Sequence, residues 1–386
     1  MSVPIILPRI MEVGADASAR LPEVLAALGC NRPLIVTDKM MVKLGQAQRL
    51  HGILEAKGIA CEIFDDTVPE PTAASIQAGV TRIREGDFDA IVALGGGSPI
   101  DSAKAMAILA RHGGVIRDYR FPRQVNEVGL PLIAIPTTAG TGSEVTRFTI
   151  ITDEATDEKL LCAGIGFMPM AALIDFKLTL SLPARTTADT GIDAMTHAIE
   201  AYVSRKANPY SDSQALAALN FLGPNLQKAY RDGQDENARE AMMIGATLAG
   251  IAFSCASVAL IHGMSRPIGA FFHVPHGLSN AMLLPSLTAW SLNAAPARYA
   301  QCARALGAAL ESDDDALAGQ KLIEFLKVIN TELSVPTLAD FGVNRALFDE
   351  VITTMAEQAL ASGSPGNNPH VPTVPEMVEL YRALWD

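Results

Sequence analysis

The first half of the chain alternates short, unbroken apolar runs with stretches of helical period. Leu34–Thr37, Ala60–Phe64, Asp89–Leu94 and Leu132–Ile135 read as strands. Leu44–Lys57 and Thr72–Glu85, between them, read as amphipathic helices. Strands that are apolar throughout, rather than at every second position, are buried on both faces. That predicts a parallel sheet with helices packed on each side. The strand order is not readable from the pattern, but ligands of such sheets bind at the carboxyl ends of strands. Past Ser181 the strand-like runs stop, and Ala-, Leu- and Met-rich helical patterns continue to the end. Leu182–Pro183 is the expected boundary, because proline disfavours helix in the residue before it. The expectation is an α/β domain over 1–182 followed by an all-helical domain over 183–386. The most apolar stretch, Met242–Ile261, is interrupted by Gly245, Gly250, Ser254 and Ser257. It reads as a buried helix rather than a membrane span.

Composition narrows the function classes. The chain has 386 residues, 49% hydrophobic and 19% charged, with a formal net charge of −12. Two cores fit that length, and the balance is not that of a disordered chain. An acidic protein without a cluster of Lys and Arg is not built for nucleic acid. The N-terminal residues lack the basic flank and long apolar core of a signal peptide. The five cysteines are scattered, with no CxxC pair, so free thiols in a reducing cytoplasm are expected. The acidic run Glu311–Asp315 reads as a solvated loop or helix start, and the fourteen methionines as core filling.

Two polar loops suggest a nucleotide. Gly95-Gly-Gly-Ser-Pro-Ile-Asp-Ser-Ala-Lys104 follows a strand and opens a helix. Glycines there let backbone approach a phosphate, and the free N–H groups of a helix start point at it. It is neither GxGxxG nor a P-loop, and a plain tight turn is the alternative. After the fourth strand comes Pro136-Thr-Thr-Ala-Gly-Thr-Gly-Ser-Glu-Val-Thr146, whose hydroxyls suit ribose, phosphate or amide groups. Asp38 ends the first clear strand. A carboxylate there accepts from a ribose and repels a 2′-phosphate, which favours NAD over NADP. The neighbouring Lys39 argues the other way.

Asp193 and His197 are four residues apart in Thr190-Gly-Ile-Asp-Ala-Met-Thr-His-Ala-Ile-Glu-Ala-Tyr202, which reads as helix, so both leave one face. His262 and His276 follow later. Three imidazoles and a carboxylate suit iron or zinc with a position left for substrate.

At this point the chain resembles the iron-containing (group III) alcohol dehydrogenases. The resemblance is carried in order by Pro69-Glu-Pro-Thr72, Gly95-Gly-Gly-Ser98, the Thr-rich loop, Gly191–Tyr202, His262-Gly-Met264, Pro275-His-Gly277 and Gly363-Ser-Pro-Gly-Asn-Asn-Pro369. It implies a Rossmann-like parallel-sheet domain, an all-helical metal domain and an active site in the cleft between, the architecture shared with dehydroquinate synthase. It implies NAD(P)-linked interconversion of a small primary or secondary alcohol, diol or hydroxyacid with its aldehyde or ketone. The metal acts there as the Lewis acid, Fe²⁺ first and Zn²⁺ as the alternative. It carries the metal ligands onto Asp193, His197, His262 and His276. Cofactor contacts fall on Asp38, Gly96, Gly97, Ser98, Asp101, Thr137, Thr138, Thr141 and Lys159. A homo-dimer or larger homo-oligomer, with no membrane partner, is also implied. A hydroxyacid–oxoacid transhydrogenase and a dehydroquinate-synthase-like lyase are the alternative activities on this fold, and a non-catalytic NAD-binding protein is a third.

The departures from the family pattern are local. Glu70 stands where Asn is frequent, which leaves that loop's cofactor contact open. Arg266 stands where a second His is common, four residues after His262, and Cys255 replaces an Asn. Arg266 is a candidate for binding an anionic substrate group or for pairing with a carboxylate. His273 takes a place where Asn or Asp is frequent, and is a candidate proton relay, with a surface histidine as the alternative. Phe148, Phe253, Phe271 and Phe272 are apolar candidates near the ligands.

Overall fold

A computed structural model describes residues 3–156 and 158–385. They form two compact units, Ile5–Ser181 and a second built mainly from Leu182–Asp386.

The first unit is built on a six-stranded sheet whose adjacent strands all run parallel. Its strands are β1 (Ile10–Val13), β2 (Pro33–Val36), β3 (Glu62–Phe64), β4 (Ala90–Gly95), β5 (Leu132–Pro136) and, after a two-stranded antiparallel pair, β8 (Ala171–Ile174). The pair is β6 (Phe148–Asp153) and β7 (Glu158–Ala163). The spatial order is β1-β8-β5-β4-β2-β3. β3 lies outside β2, and the chain then returns to place β4 on the other side of β2. Direction therefore reverses between β2 and β4. A crevice opens at the carboxyl ends of strands at such a point.

Strand side chains alternate between two cores, which is why the strands are apolar throughout. Leu34, Val36, Ile91, Ala93, Leu132 and Ala134 face one way, against Ile76 and Val80 of the helix Ala73–Glu85 and Ile100 and Met106 of the helix Gly97–His112. Ile35, Val92, Leu94, Ile133, Ile135 and Leu173 face the other way, against Leu21 and Leu25 of Leu21–Leu28 and Leu50 and Leu54 of Gln46–Glu55. Each fully buried aliphatic side chain contributes about 1.5–3 kcal/mol. Thr72 caps its helix by accepting from Ser75 N at 3.2 Å, while Ser75 Oγ accepts from Thr72 N at 3.1 Å, so the helix begins where the pattern predicts.

The strands at 10–13, 148–153, 158–163 and 171–174 escape the sequence pattern. β1 lies at the sheet edge and is half-buried, so it has no unbroken apolar signature. β6 alternates between half-buried and buried positions, and β7 is half-exposed at its start.

The second unit is helical, as expected. Its main helices are Ala184–Val203, Pro209–Arg231, Glu236–Ala256, Leu260–Phe272, His276–Ser291, Asp315–Glu332 and Arg345–Ala361. The single buried helix expected over 242–261 is instead broken. Glu236–Ala256 and Leu260–Phe272 meet at a 103° bend. Ser257 takes a left-handed φ of 66° at the break, and Asn367 Nδ2 donates to Ser257 Oγ and Val258 O. Among the described residues no single helix is long and apolar enough to cross a membrane. Asp314 of the acidic run caps Asp315–Glu332 by accepting from Leu317 N at 2.8 Å, and Asp313 pairs with Lys321 at 2.7 Å. The five cysteines form no disulfide.

Candidate nucleotide loops and metal centre

The two polar loops lie side by side because β4 and β5 pair in register, Gly95 opposite Pro136. Thr137 N donates to Gly95 O at 3.0 Å and closes them together. The glycines answer this packing. A Cβ at Gly97 would stand 2.9 Å from Thr141 Cγ2, and one at Gly96 would stand 3.3 Å from Thr138 Cγ2. Gly95 has φ +151°, and a Cβ there would meet Pro99 at 2.5 Å. Gly96 is the N-cap of Gly97–His112, so the first N–H groups of a sixteen-residue helix open at the reversal point of the sheet.

The remaining residues of this group have visible partners. Asp38 caps the short helix Lys39–Lys43, accepting from Met41 N at 2.9 Å through Oδ1. Lys39 pairs with Asp66 at 3.3 Å, with both side chains exposed. Ser98 Oγ accepts from Glu70 N at 3.3 Å, and Lys159 Nζ donates to Glu70 Oε1 at 3.0 Å. Asp101 is committed to the protein: Oδ1 accepts from Ser143 Oγ at 2.5 Å and Oδ2 from Ile150 N at 3.0 Å. It ties the Thr-rich loop to β6. Beneath them Lys104 is fully buried and donates to Thr146 O, Thr146 Oγ1 and Phe148 O at 3.0, 3.1 and 2.7 Å. Burial brings its pKa down to about 8 against the attraction of Asp101 and Glu144.

In the helical unit Asp193, His262 and His276 aim one ligand atom each at a common point, all within 4.8 Å of one another. Asp193 Oδ1 lies 3.4 Å from His262 Nε2 and 3.7 Å from His276 Nε2. Three helices supply them, and two glycines allow their approach. A Cβ at Gly277 would stand 2.4 Å from Asp189 O on the helix of Asp193, and one at Gly263 would stand 2.6 Å from Pro365 Cγ. Each of these two histidines is followed by a glycine because backbone or a rigid ring presses against that turn. His197 stands one turn after Asp193, with Nδ1 3.9 Å from Asp193 Oδ2. Its ring stacks on His262 at 4.4 Å and on Phe253 at 4.2 Å. His197 thus stands against the triad, between His262 and Phe253.

Glu200, one turn further along the helix Ala184–Val203, is buried and does two things. Oε2 accepts from His262 Nδ1 at 2.6 Å and from Ala259 N at 2.9 Å, and Oε1 accepts from Ile261 N at 2.5 Å. The carboxylate thus satisfies the start of Leu260–Phe272 beyond the break. It also holds the His262 proton on Nδ1, which leaves the Nε2 lone pair facing Asp193 and His276. Asn280 Nδ2 donates to Asp193 Oδ1 at 2.7 Å and stands 3.2 and 3.3 Å from Nε2 of His262 and His276, while its Oδ1 is buried without a partner. Three acceptor atoms turned toward one point, with an orphaned amide oxygen beside them, fit a divalent cation.

Burial opposes the charge on Asp193, but His197, His276 and His262 outweigh it and hold the carboxyl well below the usual range. Asp193 and His262 are buried, whereas the His276 side chain is 39% exposed, so access is from its side. Neither Glu200 nor Asn280 was singled out by the sequence. Their signal was weak: Glu200 lies one turn past His197 in a ligand-bearing helix, and Asn280 one turn past His276.

The other expected residues are dispersed. His273 is exposed at the left-handed end of Leu260–Phe272, with φ 55°. Arg266 is partly buried one turn after His262 and has no ion pair among the described residues. Cys255 is half-buried near the end of Glu236–Ala256. Phe253 stacks on His197, Phe272 packs on Phe348 at 5.6 Å and on Phe271 at 6.3 Å, and Phe148 begins β6.

A parallel sheet with a glycine loop at its reversal point, and a helical unit that converges a carboxylate and imidazoles, define a nucleotide-linked, metal-dependent oxidoreductase. The chain belongs to the iron-containing alcohol dehydrogenases. The model of iron-containing alcohol dehydrogenase matches residues 8–176, and that of the Fe-containing alcohol dehydrogenase family, C-terminal, matches 187–385. Long-chain-alcohol dehydrogenase 1 of Geobacillus thermodenitrificans is 37% identical over 358 residues, covering 92% of this chain and 90% of the relative. Lactaldehyde reductase of Escherichia coli is 34% identical over 375 residues, covering 96% and 97%. The crystal structure of a 1,3-propanediol oxidoreductase superposes with a TM-score of 0.95 at 33% identity, covering 100% of both chains. The protein is a metal-dependent alcohol dehydrogenase, an oxidoreductase acting on CH–OH groups, and the family works with a metal and NAD(H).

Proposed function

We propose that this enzyme interconverts a short alcohol, diol or hydroxyacid with its aldehyde or ketone, using Fe²⁺ and NAD(H). The observation that carries the reading is the convergence of Asp193 Oδ1 with Nε2 of His262 and His276, with the His262 tautomer held by Glu200. A divalent cation there supplies Lewis acidity to the substrate oxygen, and NAD(H) carries the hydride. Asp193, His262 and His276 are the core ligands and His197 the fourth. Zn²⁺ is the alternative ion, because the same donor types suit both.

The helix start at Gly96, Gly97 and Ser98 receives the pyrophosphate, and Thr137, Thr138 and Thr141 line the adjoining loop. Asp101 serves by fixing that loop through Ser143 and Ile150 rather than by reaching the cofactor itself. Lys159 serves through its pair with Glu70. Asp38 receives the adenosine ribose, and its charge favours NAD over NADP. His273, exposed and three residues before His276, moves the alcohol proton to solvent. A cytoplasmic homo-oligomer completes the proposal.

The test is an anaerobic screen of protein loaded with Fe²⁺ or Zn²⁺ over short alcohols, diols, hydroxyacids and aldehydes with NAD(H) and NADP(H). Net NADH formation that depends on the ion is the expected result. Turnover only between two carbonyl–alcohol pairs, with NAD retained through purification, would establish the transhydrogenase instead.

A further inference from the structure

Arg266 is a cation without a carboxylate of its own. It leaves the same face of Leu260–Phe272 as His262, one turn later and about 6 Å further along the axis. Among the described residues it makes no hydrogen bond and no ion pair, and its Nε is buried without an acceptor. The carboxylate that acts on its charge is Glu200. That carboxylate is already filled by His262 Nδ1, Ala259 N and Ile261 N at 2.6, 2.9 and 2.5 Å. Holding a guanidinium in such a place without a partner is costly, so an anion bound there regains what burial costs. The residue is only partly buried, so a ligand can reach it.

We propose that Arg266 receives an oxyanion of the substrate, so that the preferred substrates are short alcohols and aldehydes carrying a carboxylate or sulfonate. The planar fork of a guanidinium matches such groups with two parallel hydrogen bonds. An offset of one helical turn from His262 suits a molecule whose carbinol oxygen lies at the ligand cluster and whose anion lies a few bonds away. The inference rests on the reading of Asp193, His262 and His276 as the place where the alcohol oxygen is activated. Arg266 then sets which alcohol is held there.

The experiment compares 3-hydroxypropionate and 2-hydroxyethanesulfonate with neutral 1-propanol and 1,3-propanediol in wild type, Arg266→Gln and Arg266→Lys. Separately, titration calorimetry measures binding of unreactive propionate and methanesulfonate to the same proteins. Wild type should prefer the anionic alcohols, and Arg266→Gln should lower the ratio of anionic to neutral kcat/KM by roughly 10- to 100-fold. The loss should fall on KM of the anionic substrate, Arg266→Lys should recover part of it, and binding of the unreactive anion should weaken in parallel. The stronger of the two unreactive anions identifies the head group. An unchanged anionic-to-neutral ratio in Arg266→Gln, or equal anion binding by all three proteins, overturns the proposal. If instead no alcohol is turned over but anion binding still requires Arg266, the dehydrogenase site has failed and the anion site stands. Matching unfolding temperatures for the variants separate a lost contact from a lost fold.

Discussion

Glu200 Oε2 and His262 Nδ1 are 2.6 Å apart across 62 residues of sequence, both buried, with the same carboxylate closing the start of the helix that carries His262. One side chain thereby sets the tautomer of a proposed ligand and the position of its helix.

Glu200→Gln keeps the shape and removes the charge. The amide cannot accept three hydrogen bonds as the carboxylate does, so His262 loses its fixed tautomer. Affinity for the metal should fall by about 10- to 100-fold, measured by chelator competition. An affinity within twofold of wild type would show that Glu200 serves the helix end alone.

Asp38 caps its helix through one oxygen, and Asn can keep that bond to Met41 N while losing the charge. Asp38→Asn should therefore lower the preference for NAD over NADP by roughly tenfold without lowering the unfolding temperature. Lys39 already pairs with Asp66, so the cation is in place to tolerate the 2′-phosphate once the repulsion is gone. An unchanged NAD-to-NADP ratio of kcat/KM would remove Asp38 from the cofactor site.

Lys104 gives a pH signature. Its three acceptors suit an ammonium, and its pKa of about 8 keeps it protonated at neutral pH. The unfolded chain holds that proton up to the ordinary lysine value of 10.5. Between these values the unfolded state binds more protons, so stability rises with pH; the contribution is complete above 10.5 and is lost as pH falls through 8. Lys104→Met should cost about 1–3 kcal/mol at pH 7 by stranding buried acceptors. The gap to wild type should widen by on the order of 2 kcal/mol between pH 8 and 10, read from urea unfolding. Parallel curves would show that Lys104 titrates normally.

For His273 the readout is the pH profile. An exposed imidazole that carries the alcohol proton makes kcat depend on pH. His273→Ala should lower kcat several-fold and flatten that limb, with imidazole buffer restoring part of the rate. A profile and rate matching wild type would leave His273 as the helix end it visibly is, in the left-handed conformation at φ 55°.

Whatever depends on neighbours along the chain could be read from the order of residues. Apolar runs marked four strands, three of them buried throughout and the fourth, β3, half-buried at the sheet edge; helical period marked the helix from Thr72, and the spacing of Asp193 and His197 put both on one helical face. Its motifs also carried the family. The strand order and the place of β1 at the edge depend on pairing between distant segments and emerge only in the folded chain. The same holds for the break at Ser257: apolar content continues through it, and what stops the helix is a buried carboxylate from another helix together with Asn367. The site divides in the same way. The ligand residues were legible as residue types at a spacing. That Asp193, His262 and His276 converge while His197 stacks beside them, that Glu200 orients His262, and that Arg266 is left without a carboxylate are distances between helices, which no local pattern encodes.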